Sequence, residues 1–447
     1  EWSPDSLTIA VTRSGDGQRG ELLLVDVAGG MKREIPAPVP GGIIFPQKFS
    51  ADGKFLLCAA LNAGGFMQLY WLDLALGRGE FIGPDHWDVQ DVSYRSKTGI
   101  VFTLNEGGSS AIYRLMSPKA KPERLLKADG YIEHLDLNET GSTLAYVWSN
   151  STHPQDIWFL SLKTSKKSGP LIQFLTSGIE PELMSRAVFI RYPSFDGRLI
   201  PALYLKPMVN RLGSPAPLVV IAHGGPDYQI VDEFDPQRQA FAQAGFAVLA
   251  PNFRGSTGYG KEFMDLDNKD WGGGDLQDLI WGARFLASRG EIDERRAGIT
   301  GVSFGGYLTL MALAKSSGVW SAGVEGFGMP DLKLDYELSK NGFGDWYATE
   351  MGTPQTEPGL FRDRSPINFI DQIRSPLLIF HGARDTNVPK EESELIYSEL
   401  KNRGRSVELV MYPDEGHEFT KRNNRIDYYG RTLDFFLKRL ASESPGP

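Results

Sequence analysis

The stretch that decides the fold of the second half of the chain is Gly298-Ile299-Thr300-Gly301-Val302-Ser303-Phe304-Gly305-Gly306. A short apolar strand leads directly into the pattern Gly-x-Ser-x-Gly, and a helix-like run follows from Tyr307 to Ala314. The flanking glycines remove Cβ atoms where strand and helix approach closely. This pattern predicts a sharp strand–turn–helix unit that exposes the hydroxyl of Ser303, which makes Ser303 a candidate nucleophile.

Strands and helices alternate on both sides of this turn, from Tyr192 to the end of the chain. Alternation of this kind predicts a mostly parallel sheet covered by helices. The continuous apolar run Pro217–Ala222 is typical of a strand that is buried on both faces. The segment Ile179–Pro193, at the start of this alternating region, is interpreted as a connector. The predicted strands are Leu199–Leu205, Leu218–Ala222, Ala247–Pro251, Gly298–Thr300, Ala322–Phe327, Leu377–Phe380 and Val407–Tyr412, and the predicted helices are Pro236–Ala244, Asp275–Ser288, Gly306–Ser316, Glu391–Arg403 and Arg425–Ser442.

The first part of the chain repeats a turn signature instead. The signature recurs at spacings of 47, 46 and 42 residues, as Ser3-Pro4-Asp5, Ser50-Ala51-Asp52-Gly53, Ser96-Lys97-Thr98-Gly99 and Asn138-Glu139-Thr140-Gly141. Each turn is followed by an apolar strand, a polar loop and a second strand. A period of about 45 residues predicts the blades of a β-propeller, of which four are visible, and an ordinary β-sandwich stays open as the alternative. We therefore predict two domains, residues 1–178 and residues 179–447.

Composition excludes several classes of protein. The net charge is −9, which argues against a nucleic-acid partner. The chain has no run of 18 apolar residues, so no membrane span is expected. Cys58 is the only cysteine, so neither an intrachain disulfide nor a thiolate metal cluster is expected, and neither a metal nor a cofactor is predicted. The expected location is cytoplasmic, although the chain starts at Glu1 and an upstream leader stays open.

A serine nucleophile needs a base and a group that orients the base. The Gly-x-Ser-x-Gly turn predicts the chain order serine, acid, histidine. Asp385 follows the strand Leu377–Phe380 and His417 follows the strand Val407–Tyr412, so both stand where catalytic groups gather in open sheets of this kind. The competing assignments are His381 as the base, and Asp414 or Glu415 as the acid.

An oxyanion site is predicted from two backbone N–H groups. One belongs to Phe304, the residue after the candidate nucleophile, and the other belongs to Gly225 in the run His223-Gly224-Gly225-Pro226. A plain β-turn is the alternative for that run.

Four residues are candidates for a substrate pocket. Arg254 precedes a glycine-rich loop on the same edge of the predicted sheet, and it is either a salt-bridge residue or a substrate contact. Phe327, Phe343 and Trp346 suggest an apolar pocket, with core packing as the alternative for each.

The sequence resembles the prolyl oligopeptidase family of serine peptidases, in its acylaminoacyl-peptidase-like branch. The resemblance is carried by the run His223–Pro226, by Asn252–Gly260, by Asp270-Trp271-Gly272 and by the turn at Ser303. It implies a propeller followed by an α/β-hydrolase domain, with Ser303, Asp385 and His417 as the catalytic triad. It also implies cleavage of short peptides.

The chain departs from the family pattern in two places. Family propellers have seven or eight blades, so the four visible here indicate either a fragment or a shortened, open propeller, whose exposed edges would favour self-association into a homo-oligomer. Asn387 stands where acylaminoacyl-peptidase-like members often carry an arginine. The alternatives in function are a carboxylesterase that uses the same triad, and a protein-interaction module with an inactive second half.

Overall fold

The computed structural model describes residues 1–14, 20–172, 180–209 and 211–441. The chain divides into two compact units, each described by itself. The first contains Glu1–Pro181, Val231–Phe234 and Thr257–Phe263, and the second contains Glu182–Ile230, Asp235–Ser256 and the chain from Met264 onward. The predicted domain boundary between residues 178 and 179 lies outside the described residues and stays a prediction.

The first unit consists of antiparallel sheets whose strands follow one another in chain order. In the described residues there are four such sheets, which confirms the prediction of four propeller blades. They contain β1 (Thr8–Ser14), β2 (Gly20–Asp26) and β3 (Met31–Ile35); β4 (Ile44–Phe49), β5 (Phe55–Leu61), β6 (Met67–Asp73) and β7 (Arg78–Ile82); β8 (Asp88–Arg95), β9 (Gly99–Asn105), β10 (Ser110–Leu115) and β11 (Glu123–Lys127); and β12 (Tyr131–Leu137), β13 (Thr143–Asn150), β14 (His153–Ser161) and β15 (Lys167–Ser168).

Two of the four repeated turns share the same side-chain hydrogen bond. In the second sheet the Ser50 hydroxyl donates to Asp52 Oδ1 over 2.7 Å, and the turn leads into β5. The same bond joins Ser3 to Asp5 over 2.6 Å before β1. Short polar side chains that bond within two residues of themselves stabilise a tight turn without help from a partner strand.

Each sheet holds more strands than the sequence predicted. A strand precedes the turn in the second, third and fourth sheets, whereas in the first a single bridge joins Trp2 to Ile9 at that place. Bulges in β4, β8 and β12 interrupt the alternation of apolar and polar residues, which hides these strands from a period-2 reading. The outer strands β7 and β11 are mostly exposed, and so they lack an apolar pattern.

Apolar cores lie between successive sheets rather than within one sandwich. Leu22 and Leu24 of the first sheet share a core with Leu56 and Leu72 of the second. Two further cores join the second sheet to the third and the third to the fourth. A sandwich has one core between two sheets. Successive cores between sheets in chain order are typical of propeller blades.

The second unit is built on one twisted sheet of eight strands covered by helices. The strand order is β16-β17-β19-β18-β20-β21-β22-β23. The six strands that follow β17 in this order pair in parallel. The strand β17 pairs antiparallel with both of its neighbours, β16 and β19. This is the predicted α/β-hydrolase arrangement. The strands are β16 (Val188–Pro193), β17 (Leu199–Leu205), β18 (Ala216–Ala222), β19 (Ala247–Pro251), β20 (Ile292–Val302), β21 (Ala322–Gly326), β22 (Leu377–Gly382) and β23 (Val407–Tyr412). The helices of this unit are α1 (Pro236–Ala244), α3 (Gly274–Ser288), α4 (Phe304–Lys315), α5 (Leu332–Glu350), α6 (Pro358–Asp363), α7 (Lys390–Asn402) and α8 (Arg422–Leu440). The short helix α2 (Lys261–Met264) belongs to the first unit except for its last residue.

Two parts of this unit differ from the prediction. The predicted connector ends in a strand, β16, which pairs only with β17 and is largely exposed, so its sequence lacks the apolar run of a central strand. The helix α5 was not predicted. Three of its buried residues, Asp335, Ser339 and Glu350, are polar, and they obscure the apolar period of the helix.

Candidate active site

Ser303 occupies a strained turn between β20 and α4. Its backbone has φ 56° and ψ −123°, a conformation that non-glycine residues rarely adopt. A Cβ on Gly301 would clash with the backbone of Gly305, and a Cβ on Gly305 would clash with the carbonyl oxygen of Ala222. The glycines thus allow strand and helix to close around the serine, as the sequence predicted.

Ser303, His417 and Asp385 form one chain of hydrogen-bonding distances. His417 Nε2 lies 3.0 Å from Ser303 Oγ, and His417 Nδ1 lies 2.7 Å from Asp385 Oδ2. The other carboxylate oxygen, Asp385 Oδ1, accepts the backbone N–H groups of Asn387 over 2.8 Å and Val388 over 3.0 Å. The carboxylate is therefore fixed in orientation, and it holds the imidazole with Nε2 toward the serine. The three side chains follow β20, β22 and β23, whose carboxyl ends share one edge of the sheet.

The competing assignments have other partners in the structure. His381 is fully buried, and its ring lies 2.8 Å from Ser393 Oγ and 3.0 Å from the Val388 carbonyl oxygen. Burial, the main effect, lowers the pKa of His381 below its ordinary value. Glu415 accepts the N–H of Lys421 over 2.9 Å, and Asp414 forms an ion pair with the Lys421 ammonium. The described geometry thus places Asp385 alone on the far side of the His417 ring.

The candidate oxyanion groups flank the serine. Phe304 is the first residue of α4, so its N–H is one of those that find no partner inside the helix. Gly225 lines the same cavity as Ser303 and has φ 119°, a region open to glycine. Whether these two N–H groups bind an oxyanion stays a prediction.

His223 supports the loop that carries Gly225. Its ring is buried and stacks on Phe253 with ring centroids 4.0 Å apart. Its Nε2 lies 2.8 Å from Ser256 Oγ and its Nδ1 lies 2.7 Å from the Gly224 carbonyl oxygen. Burial lowers the pKa of His223 to about 4, so the ring is neutral at pH 7. Because the His223 ring is neutral and both of its nitrogens have hydrogen-bonding partners, we infer that it holds the loop in place and does not exchange protons.

A cavity of about 310 Å³ opens beside the Ser303 hydroxyl. One wall is a face of α5. It is formed by Asp335 and by the residues four, eight, eleven and twelve positions after it, which lie on the same side of the helix. The lining residues are Gly225, Asp227, Ser303, Met329, Asp335, Ser339, Phe343, Trp346, Tyr347, Asn387, Val388 and His417.

The four predicted pocket residues divide into two groups. Phe343 and Trp346 line the cavity. Phe327 is buried instead, and its ring packs 5.1 Å from the ring of His417 and 4.8 Å from that of Phe419, between centroids.

Arg254 also lies away from the cavity lining. Its guanidinium donates to both carboxylate oxygens of the buried Asp278, over 2.8 and 3.0 Å, and lies 3.3 Å from Asp196. These contacts match the salt-bridge alternative for Arg254 and not the tentative assignment to the substrate pocket.

Several cavity residues were missed from the sequence. Asp335, Ser339 and Tyr347 stand on α5, and Asn387 was noted only as a departure from a family pattern. The spacing of Asp335, Ser339 and Phe343 by four residues was a signal that could have found the helix face. It was overlooked because polar residues were not expected on an inward face.

Among the described residues, no group of three or more His, Cys, Asp or Glu side chains is arranged to hold a metal ion. Within the same residues, no helix is both long and apolar enough to cross a membrane.

Residues 232–443 match the domain described as "Prolyl oligopeptidase family". This part of the chain belongs to the prolyl oligopeptidase family. Its relatives include "Dipeptidyl aminopeptidase BIII" of Pseudoxanthomonas mexicana, which is 34% identical over 91% of this chain and 60% of its own length. They also include the mouse "Acylamino-acid-releasing enzyme", which is 27% identical over 57% of this chain and 35% of its own length. The chain thus spans about 60% of the length of the first relative.

Solved structures show the same fold as this chain. A puromycin-hydrolyzing peptidase of Mycobacterium tuberculosis superposes with a TM-score of 0.89 at 21% identity, over 100% of this chain and 70% of its own. The acylaminoacyl peptidase of Pyrococcus horikoshii superposes with a TM-score of 0.81 at 23% identity, over 98% of this chain and 70% of its own. These comparisons confirm the resemblance and the architecture stated from the sequence.

Proposed function

We propose that this protein is a serine peptidase that cleaves short peptides through an acyl-enzyme on Ser303. The observation that carries the proposal is the chain of contacts from Ser303 Oγ through the ring of His417 to Asp385, next to an open cavity. The names of the relatives, an aminopeptidase and an acylamino-acid-releasing enzyme, support peptides as the substrate class.

The first half of the reaction follows from this geometry. Ser303 Oγ attacks the scissile carbonyl carbon while His417 Nε2 takes the hydroxyl proton. The Asp385 carboxylate stabilises the imidazolium that forms. The carbonyl oxygen becomes an oxyanion, and in this proposal the N–H groups of Phe304 and Gly225 donate to it.

The second half returns the enzyme to its starting state. The tetrahedral intermediate expels the amine, which leaves with the proton held on His417 and breaks the C–N bond. Water then attacks the acyl-enzyme, gives its proton to His417, and releases the acid as Ser303 recovers a proton. Every proton transfer in this cycle uses side chains of the chain itself.

A carboxylesterase is the second candidate, because the same triad cleaves esters. The two candidates are separated by one substrate panel: N-acylated amino-acid anilides, dipeptide anilides with a free amino group, and p-nitrophenyl esters. We expect the wild-type protein to hydrolyse the anilides, and we expect Ser303→Ala to lower kcat by about 10⁶-fold. Ester turnover with no anilide turnover would replace the peptidase by the esterase. The ratio of acylated to free-amino anilides also reports whether the substrate needs a free N-terminus.

The proposal extends to location and assembly. The lone cysteine, Cys58, is buried in β5 and cannot form an intrachain disulfide, which is compatible with a reducing cytoplasm. We also propose self-association through strand edges of the first unit. A monomeric mass in solution, measured by sedimentation or light scattering, would contradict that part.

A further inference from the structure

Asp335 is a buried carboxylic acid in the wall of the cavity beside Ser303. Its side chain belongs to the first turn of α5, and the residue is 3% exposed. The Tyr347 hydroxyl donates to Asp335 Oδ2 over 2.5 Å. The other oxygen, Oδ1, has no hydrogen-bond partner within the described part of the chain. A buried carboxylate oxygen without a partner is costly, and it calls for a ligand or another explanation.

The cavity beside Asp335 is lined by no lysine or arginine of the described residues. Burial, the largest effect, raises the pKa of Asp335 to about 6, so most of this carboxyl is ionised at pH 7. An ionised carboxylate in a partly dry cavity attracts a cationic group strongly.

The remaining walls suit the stem of a long side chain. Phe343, Trp346 and Tyr347 present aromatic rings to the cavity, and Met329 and Val388 add apolar surface. Aromatic faces attract ammonium and guanidinium groups, and they pack against the methylene groups that lead to them. A chain of methylenes that ends in a cation therefore matches both parts of the cavity.

Three other buried acids do not share this position. Asp267, Glu325 and Glu392 are fully buried, and each also has at least one carboxylate oxygen without a partner in the described structure. None of the three lines the cavity. Among the described residues, Asp335 alone is a buried acid with an unpartnered oxygen in the wall next to the nucleophile.

We propose that this cavity receives the side chain on the acyl side of the scissile bond, and that Asp335 selects lysine or arginine there. The inference rests on the proposed peptidase function and names its substrate class. In this account Asp335 is a specificity-determining residue, and its carboxylate attracts the substrate cation through a charge-assisted interaction. The Tyr347 hydroxyl bonds only one of the two carboxylate oxygens, Oδ2, so the carboxylate charge does not depend on it.

The test compares two anilides that differ by the cation alone. N-acetyl-lysine p-nitroanilide and N-acetyl-norleucine p-nitroanilide have side chains of similar length and width. For the wild-type protein at pH 7.5, we expect kcat/KM for lysine to exceed that for norleucine at least about 10-fold. In Asp335→Asn, which keeps shape and loses charge, the lysine value should fall at least about 30-fold, while the norleucine value changes by less than about 3-fold.

Tyr347→Phe is the matched control, because it alters the same hydrogen bond and keeps the carboxylate. It should preserve the preference for lysine. A wild-type ratio near one, or an Asp335→Asn variant that keeps the wild-type ratio, would overturn the inference. The wild-type ratio needs no variant, so it decides the matter even where Asp335→Asn does not fold.

Failure of this inference is distinct from failure of the proposed function. Equal turnover of the two anilides, with p-nitrophenyl acetate hydrolysis dependent on Ser303, would overturn only the role of Asp335. Absence of any turnover that depends on Ser303 would overturn both.

Discussion

Replacement of Asp385 by asparagine tests how the base is held. Asp385 Oδ1 accepts two backbone N–H groups, from Asn387 and Val388, whereas Oδ2 faces His417 Nδ1. An asparagine side chain will keep its carbonyl oxygen toward the two N–H donors. Its NH₂ group must then face His417 and donate to Nδ1. The proton of the neutral imidazole moves to Nε2, and Nε2 can no longer accept the proton of Ser303.

The expected loss of kcat in Asp385→Asn comes from the wrong tautomer of His417, because the positions of the side chains are kept. A change of this kind costs about 10⁴-fold in kcat, or about 5.5 kcal/mol in activation free energy. The assay is kcat for an N-acetyl amino-acid anilide at pH 7.5, with the melting temperature as a check on folding. Asp414→Asn is the control, because Asp414 pairs with Lys421 on the surface, and its kcat should stay within about 3-fold of wild type. A loss below about 10-fold in Asp385→Asn, in a folded protein, would refute the proposed orientation of the imidazole.

Three further predictions concern the surroundings of the site. Gly305→Ala places a Cβ against the carbonyl oxygen of Ala222, and we expect it to displace the turn and lower kcat at least about 100-fold; an active variant would contradict the close packing. Arg254→Met leaves the buried Asp278 carboxylate unpaired and should cost about 3–5 kcal/mol in urea unfolding, while the double change with Asp278→Leu should recover most of it; an unchanged single variant would argue against a structural salt bridge. Burial raises the pKa of Glu325 from 4.5 to about 8, so between these pH values the folded protein keeps a proton that the unfolded chain releases. The free energy of unfolding then falls as pH rises, by up to about 1.4 kcal/mol per pH unit, and the melting-temperature advantage of Glu325→Gln should grow from pH 5 to pH 8 and level off above. A constant difference would contradict a buried neutral acid.

The sequence was most informative where chemistry and backbone geometry coincide. The turn at Ser303 needs small residues on both sides, so it can be recognised as a sequence motif. Asp385 and His417 stand just after strongly apolar strands, and their order along the chain is fixed by the fold. The strands β17, β19 and β23 were predicted with the bounds that the structure has, because β17 and β19 are apolar throughout and β23 is apolar apart from Glu408.

Prediction failed where polar residues face inward or apolar alternation is broken. The face of α5 that lines the cavity carries Asp335 and Ser339, so it does not look like the buried side of a helix. The bulged strands β4, β8 and β12 lose their alternation at the extra residue. Arg254 illustrates a different limit, since its partner Asp278 lies 24 residues away and no local pattern joins them.

The most direct test of the central claim is covalent labelling followed by peptide mapping. The wild-type protein is treated with a fluorophosphonate, and the modified residue is located by mass spectrometry. The account predicts one phosphonylated site, at Ser303, with labelling absent in Ser303→Ala and slowed by several orders of magnitude in His417→Ala. An unlabelled wild-type protein, or a label on a different serine, would contradict Ser303 as the nucleophile.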